Sequence, residues 1–394
     1  MKYDFGKYVE RRGTDSSKWD HQTGPFGAEG LLPFWVADSD FAVLPEIQQA
    51  MAKRIEHPVF GYTAAPENYY SAIENWTKTR YGYEIQKDWV VPGTGVMGSV
   101  VLAIQSLTKP GDQIVIQTPV YPPFHSVVTT NDRVLIKSEL KRDENNYYSM
   151  DFEDLEQKFK DGAKMMLLCN PHNPVGRVWT HEEMEKLVEL CNRYGIYLVS
   201  DEIHCDIIMP GHKLTSAMLF PSIYDRLVVC TAPSKTFNIA GLGVSNALVP
   251  NEETRKKVNN QVAKNKASGP NILSKLACEA AYTHGAQWVD EMNEYLAGNM
   301  KYVYEFCKEK MPDIPVTRPE GTYLIWMDFG VFGKTSEEII HFLVENAKIG
   351  LGDGTPYSDT AGQKGFIRLN VGCPMCTLKE GMERLYQAYT MLKK

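Results

Sequence analysis

Short β-branched runs alternate along the chain with longer stretches whose apolar residues recur every three or four positions. That is the pattern of an α/β unit with a largely parallel sheet. It predicts strands at 113–118 (QIVIQT), 133–138 (RVLIKS), 164–169 (KMMLLC), 196–200 (IYLVS), 227–231 (LVVCT) and 244–249 (VSNALV). A helix is expected to open at Thr180, which has Glu183 three residues on, the reciprocal pair of a capping box. Met184, Leu187, Val188 and Cys191 then fall on one face until Gly195 ends the helix. After about residue 284 the pattern changes. A long helix with Trp288, Met292, Tyr295, Tyr302, Val303 and Phe306 on one face leads to strands at 322–328 and 366–370, the outline of a smaller α+β domain. No internal repeat, low-complexity tract or Pro/Gly/Ser linker separates the two parts, so they are expected to pack together.

Composition narrows the class. The 394 residues exceed one ordinary domain, and the length prior of about 150 residues per unit gives two to three. With 42 basic against 49 acidic residues, a net charge of -7 and no basic run longer than Arg255-Lys256-Lys257, no nucleic-acid or anionic-membrane footprint is expected. The first twenty residues are charged throughout and no run of about 18 apolar residues occurs, so the protein is expected to be soluble and cytoplasmic. Eight cysteines are too sparse for a disulfide framework, and Cys169, Cys191 and Cys230 lie inside apolar runs, as reduced, buried residues do. Cys373-Pro-Met-Cys376 has no second pair and no redox context, so no bound metal is expected.

Candidate chemistry gathers where ligands bind in an open parallel sheet, beyond the carboxyl ends of the strands. The stretch VVPGTGVMGSV (90–100) carries Gly93-x-Gly95-x-x-Gly98 between a β-branched run and an apolar helix. The first N–H groups of that helix lack intrahelical partners and the dipole is positive there, which favours a phosphate. Asn173 stands in the Pro-bracketed turn NPHNPVG, Asp201 follows the strand IYLVS, and Lys235 lies in the loop APSKTFNIAGLG. Singly these read as a turn residue, a helix cap and a solvated lysine. Together, at successive strand exits, they suit pyridoxal phosphate. Its aldehyde needs an amine, its pyridine nitrogen a carboxylate to stay protonated, and its phosphate N–H donors. A nicotinamide dinucleotide instead needs an acid at the end of the second strand, about 20 residues on. Asp112 has nearly that spacing but precedes strand 113–118, at the wrong edge of the sheet.

NPHNPVGRV, SDEIHCDI, APSKTFNIAGL and FIRLN, in that order and flanked by PFWVADSDF (33–41) and FGYT (60–63), resemble the fold-type-I pyridoxal-phosphate enzymes of the class I/II aminotransferase-like superfamily. Within them they are similar to the C–S β-lyase branch, the cystathionine β-lyase type. The resemblance covers nearly the whole chain. It implies a large domain at 46–284 with a mostly parallel seven-stranded sheet, a small α+β domain at 285–394, and an N-terminal segment, 1–45, joining the small domain.

The resemblance further implies that Lys235 carries the cofactor and shuttles the Cα proton, with Asp201 on the pyridinium nitrogen and Tyr121 stacked on the ring. Asn173 would donate to the ring 3′-oxygen, beside which His204 stands where aminotransferases place a Tyr. Thr94, Gly95 and Val96 would hold the phosphate. Thr231 or Ser234 would replace the hydroxyl missing at Ala232, and Gly243 stands where many relatives have an arginine. Tyr62 would reach the site of the neighbouring subunit in a homodimer with shared active sites. Arg368 would fork onto the substrate α-carboxylate, and Trp35 and Asp38 would line the entrance. The implied reaction is α,β-elimination from cystathionine, cysteine or another S-substituted L-cysteine, giving thiol or sulfide, pyruvate and ammonia. Two alternatives remain at this point: an aminotransferase, and a regulatory protein that binds a transcription factor.

Overall fold

The computed structural model describes residues 2–267 and 269–394. Seven strands form one sheet: β1 (Val90–Gly93), β2 (Gln113–Thr118), β3 (Val134–Glu139), β4 (Met165–Cys169), β5 (Tyr197–Asp201), β6 (Leu227–Thr231) and β7 (Ser245–Leu248). Their spatial order is β1-β7-β6-β5-β4-β2-β3. Strands β2 to β6 pair in parallel, and β7 runs antiparallel to both its neighbours. Pro92 is tolerated in β1 because that strand lies at the edge, where a missing N–H breaks no ladder.

The central strands read as continuous apolar runs because both their faces are covered. Successive side chains serve different cores. Ile114, Ile116, Leu167 and Val199 pack with Val96, Val100 and Ile104 of helix α1 (Val96–Leu107). Val115, Met166, Leu168 and Leu198 turn to the other face, against Met184, Leu187 and Val188 of helix α2 (His181–Tyr194). Both reciprocal bonds of the α2 capping box form, and Gly195 closes the helix in the left-handed conformation.

Helix α3 (Ala286–Lys310) buries Trp288, Met292, Val303 and Phe306 and leads to the C-terminal part. There β8 (Leu324–Asp328), helix α4 (Ser336–Ala347), β9 (Gly352–Asp353) and β10 (Phe366–Asn370) follow, and the strands form an antiparallel sheet in the order β8-β10-β9. β8 starts two residues later than the sequence pattern predicts, because Thr322 has a φ of 69° and breaks the extended backbone. Leu32–Pro33 pair in parallel with Ile349–Gly350, tying the start of the chain to its last quarter. Among the described residues no helix is long and apolar enough to cross a membrane.

Candidate functional site

Five strand exits and two late segments enclose a cavity of about 770 Å³. β1 delivers Thr94 and Gly95, β2 Tyr121, β4 Asn173, β5 Asp201 and His204, and β6 Ser234 and Lys235. From the C-terminal part come Tyr357 and Arg368. Trp35, Val36 and Ala37 close it from the N-terminal side.

The glycines of the first loop have separate physical reasons. A Cβ at Gly93 would lie 2.7 Å from Ser245 Oγ and 2.9 Å from Ser99 Oγ, so the turn is packed too tightly for a side chain. Gly98 faces open space and leaves the opening of α1 uncovered. Gly95 is the N-cap of α1, and no side chain caps the helix, which leaves its first N–H groups for a ligand. Ser245 Oγ accepts from Gly95 N at 3.1 Å and exchanges a hydrogen bond with Ser99 Oγ at 3.0 Å, holding the turn from behind. A Cβ at Gly243, where φ is 62°, would lie 2.9 Å from the Thr94 carbonyl oxygen. An arginine is therefore excluded there by close backbone approach.

Asp201 is buried and accepts from Ile203 N at 3.0 Å. Burial pushes its pKa up to about 7, against that bond and the nearby Lys235 charge. Lys235 Nζ donates to the Ala37 carbonyl at 2.6 Å, which also accepts from Tyr323 Oη at 2.9 Å. Burial lowers the lysine's pKa, with Asp38 pulling it up and Arg368 pushing it further down. His204 is pushed down to about 3, first by burial and then by Lys235 and Arg368, so it is a neutral imidazole. Its Nδ1 is buried without a partner.

Arg368 reaches the cavity from β10, directly opposite Gly352. It donates to Asn173 Oδ1 at 3.2 Å and to the Trp35 carbonyl at 2.6 Å, and its Nε has no partner. With its oxygen taken by Arg368, the Asn173 amide keeps its N–H groups for the cavity. Asn370, two residues on, donates to the Val36 and Asp38 carbonyls, each at 2.6 Å, so β10 pins the N-terminal segment over the site.

Two expectations need correction. Asp38 does not line the cavity: its carboxylate is held by Arg11 at 2.8 Å, beside Asp40, which pairs with the fully buried Lys18 at 2.8 Å. Although burial pushes Asp40 up, Lys18, Trp19 and Arg11 hold it below the usual carboxylate range. Thr231 also points elsewhere, because its hydroxyl faces the Asn246 carbonyl of the adjacent β7 at 3.4 Å, whereas Ser234 does line the cavity. Tyr62 is fully exposed and takes no part in this chain's own cavity. The sequence reading missed Phe26, Glu337, Asp353 and Tyr357 on the wall, and Ser99 and Ser245 behind the glycine turn. Nothing in their local sequence distinguishes them from ordinary turn and helix residues.

The residues present fit pyridoxal phosphate. An amine, a buried carboxylate, an amide donor and an uncapped helix start converge on one cavity, and two buried nitrogens there, His204 Nδ1 and Arg368 Nε, lack protein partners.

The comparisons agree with this geometry. Residues 32–385 match the family model for aminotransferase class I and II. The chain is 40% identical to cystathionine beta-lyase PatB of Bacillus subtilis over 98% of this chain and 99% of that protein. It superposes with a TM-score of 0.95 on the PLP-bound putative aminotransferase of Clostridium difficile 630, at 40% identity and covering 98% of this chain and 99% of that one. Cystalysin of Treponema denticola, whose structure contains a pyridoxal 5′-phosphate cofactor, superposes with a TM-score of 0.95 at 34% identity, covering 100% of both chains. The chain thus belongs to the aminotransferase class I and II family, on the evidence of both sequence and fold.

Proposed function

We propose that the protein is a pyridoxal-phosphate-dependent C–S β-lyase. It eliminates thiol from cystathionine, cysteine or related S-substituted L-cysteines, and pyruvate and ammonia follow after hydrolysis. The observation that carries this reading is the convergence of Lys235, Asp201, Asn173 and Arg368 on one cavity beside an uncapped helix start, in a chain 40% identical to a cystathionine beta-lyase.

Each side chain has a task in this reading. Arg368 binds the substrate α-carboxylate with its guanidinium and orients Cα toward Lys235. Lys235, whose charged form is disfavoured by burial, removes the Cα proton and holds it on Nζ. As the Cβ–S bond breaks, the electron pair of the former C–H bond forms the Cα–Cβ double bond and the sulfur leaves as thiolate, to be protonated. The cofactor, when bound, supplies the electron sink that makes the Cα proton acidic. Asp201 would keep the ring nitrogen of the bound cofactor protonated, Asn173 and the neutral His204 would offer N–H groups to it, and Tyr121 would pack against it. Gly95, Val96 and Ser234, with Thr94, would hold its phosphate.

The homodimer belongs to the same reading. Ile55, Val59, Phe60 and Tyr62 form an exposed apolar run, with Arg54 stacked 5.0 Å over Phe60. A second copy covers it and receives Tyr62 at its site. The division at 1–45, 46–284 and 285–394 draws support from the pairing of Leu32–Pro33 with Ile349–Gly350. A cytoplasmic location draws support from eight free cysteines, seven of them buried.

The deciding assay is pyruvate release from cystathionine by purified holoenzyme without added keto acid. Many turnovers are expected. A yield that stops at one equivalent per site and resumes only with 2-oxoglutarate would mean an aminotransferase.

A further inference from the structure

The basic and acidic side chains that line the cavity come from different elements. Its two basic groups, Arg368 and Lys235, are bonded to Asn173 and to the Trp35 and Ala37 carbonyls. Arg368 is 4% exposed and its Nε has no partner, which suits it to an anionic group of a ligand. An amino acid bound by its carboxylate at Arg368 would present its S-substituent to the remaining wall, whose exposed rim includes Glu337.

The rim has the opposite character. Glu337 and Ile340, three residues apart on α4, share a helix face and both line the cavity. The capping box of α4 is completed by Glu338, whose side chain bonds the Thr335 N–H at 2.7 Å, so Glu337 is left outside it. Asp353 lines the same cavity; its Oδ1 accepts from Thr355 N and Oγ1, each at 2.8 Å, and its Oδ2 takes no part in that turn. Phe26 packs edge-on against Trp35 at 5.4 Å and completes an aromatic wall. Apart from Lys235, Arg368 and the neutral His204, no basic side chain lines the cavity among the described residues.

We infer that the rim, with Glu337 as its specificity-determining residue, selects S-substituents that carry an ammonium at their distal end and disfavours those that end in a lone carboxylate. The inference rests on the lyase reading above and deepens it by naming the substrate class. Carboxylates and aromatic faces both attract a cation, and the same carboxylates repel an anion.

The test is pyruvate release by the holoenzyme from three amino acids: S-(2-aminoethyl)-, S-ethyl- and S-carboxymethyl-L-cysteine. The charged thiolates differ in leaving ability. The decisive quantity is therefore the change in their kcat/KM ratio on substitution, in which that difference cancels, with S-ethyl-L-cysteine normalising each preparation. Because Glu337 is exposed to solvent, each charge contact is modest, and Glu337→Gln should lower the aminoethyl-to-carboxymethyl ratio by about threefold. Glu337→Lys should lower it by about tenfold. A role confined to the helix dipole of α4 would alter stability and leave the ratio untouched. An unchanged ratio in both variants overturns the proposal while leaving the lyase reading in place. No pyruvate from any of the three amino acids overturns the proposal, and the lyase reading falls with it only if cystathionine also yields none.

Discussion

Replacing Asp201 by Asn should stabilise the cofactor-free protein while abolishing most of its turnover. The carboxyl ends β5 inside the cavity, 4% exposed, with an N–H bond from Ile203 and the Lys235 charge as its favourable partners. Burial outweighs both and raises its pKa from 3.8 to about 7. A carboxyl raised in this way binds its proton more tightly in the folded chain than in the unfolded one. The stability it permits is therefore complete below about pH 4, falls as pH rises to about 7, and stays low above. At about 1.36 kcal/mol for each tenfold, the loss approaches roughly 4 kcal/mol, and water in the open cavity of the cofactor-free protein brings it to about 2–4 kcal/mol. Asn has the same shape, keeps an acceptor for Ile203 and carries no charge. Glu202, buried next to it and also raised to about 7 by burial, adds a slope of its own in both proteins. Urea unfolding of the two cofactor-free proteins at pH 4 and pH 8 measures the effect. The expected result is near-equal stability at pH 4 and an Asn variant about 2–4 kcal/mol more stable at pH 8. With cofactor bound, the ring nitrogen supplies the missing positive charge, so the advantage should vanish. The elimination rate should fall roughly a hundredfold through the loss of about 3 kcal/mol of transition-state stabilisation. Equal stabilities at pH 8 would refute the burial argument.

Arg368→Lys should lower kcat/KM for cystathionine by about 10- to 100-fold, because a point charge cannot reproduce the forked contact or hold Asn173 Oδ1; a change under threefold, measured by pyruvate release, would remove Arg368 from carboxylate binding. Gly243→Ala should cost about 1–3 kcal/mol in urea unfolding, since φ is 62° and the added Cβ meets the Thr94 carbonyl oxygen at 2.9 Å, whereas Gly241→Ala, with open space around it, should cost under about 1 kcal/mol. Mixing inactive Lys235→Ala chains with inactive Tyr62→Ala chains should restore part of the activity through hybrid dimers, and a fully active monomer on sedimentation would exclude a shared site.

The sheet was legible in the chain because β-branched runs of four to six residues have few other uses. All six strands expected in the large sheet formed, with ends shifted by one residue or less at β3, β4, β5 and β7. Lys235, Asp201 and Asn173 were legible for a related reason. They immediately follow such runs, and in a parallel sheet the carboxyl ends of the strands meet at one edge. Arg368 was legible only through the resemblance of FIRLN, since an arginine in a short strand is otherwise a surface charge. The glycine turn was ambiguous by spelling, and its specific packing against Ser99 and Ser245 emerged only with the fold.

What the sequence could not decide is where side chains from distant segments end up. Asp38 and Trp35 stand three residues apart. Only the pull of Arg11 and Lys18 on the 38–40 carboxylates turns one away from the cavity, while Arg368 and Asn370 fasten the backbone between them. Thr231 and Ser234 are equally good hydroxyls on paper, and the β6–β7 pairing directs the first toward the Asn246 carbonyl. Glu337, Asp353 and Phe26 reach the cavity from three separate elements late and early in the chain, with no local pattern to announce it. Local propensity and periodicity depend on neighbours a few residues apart, so the chain alone determined its elements and the chemistry at their ends. The walls of the cavity depend on contacts across hundreds of residues, and those only the packed structure decided.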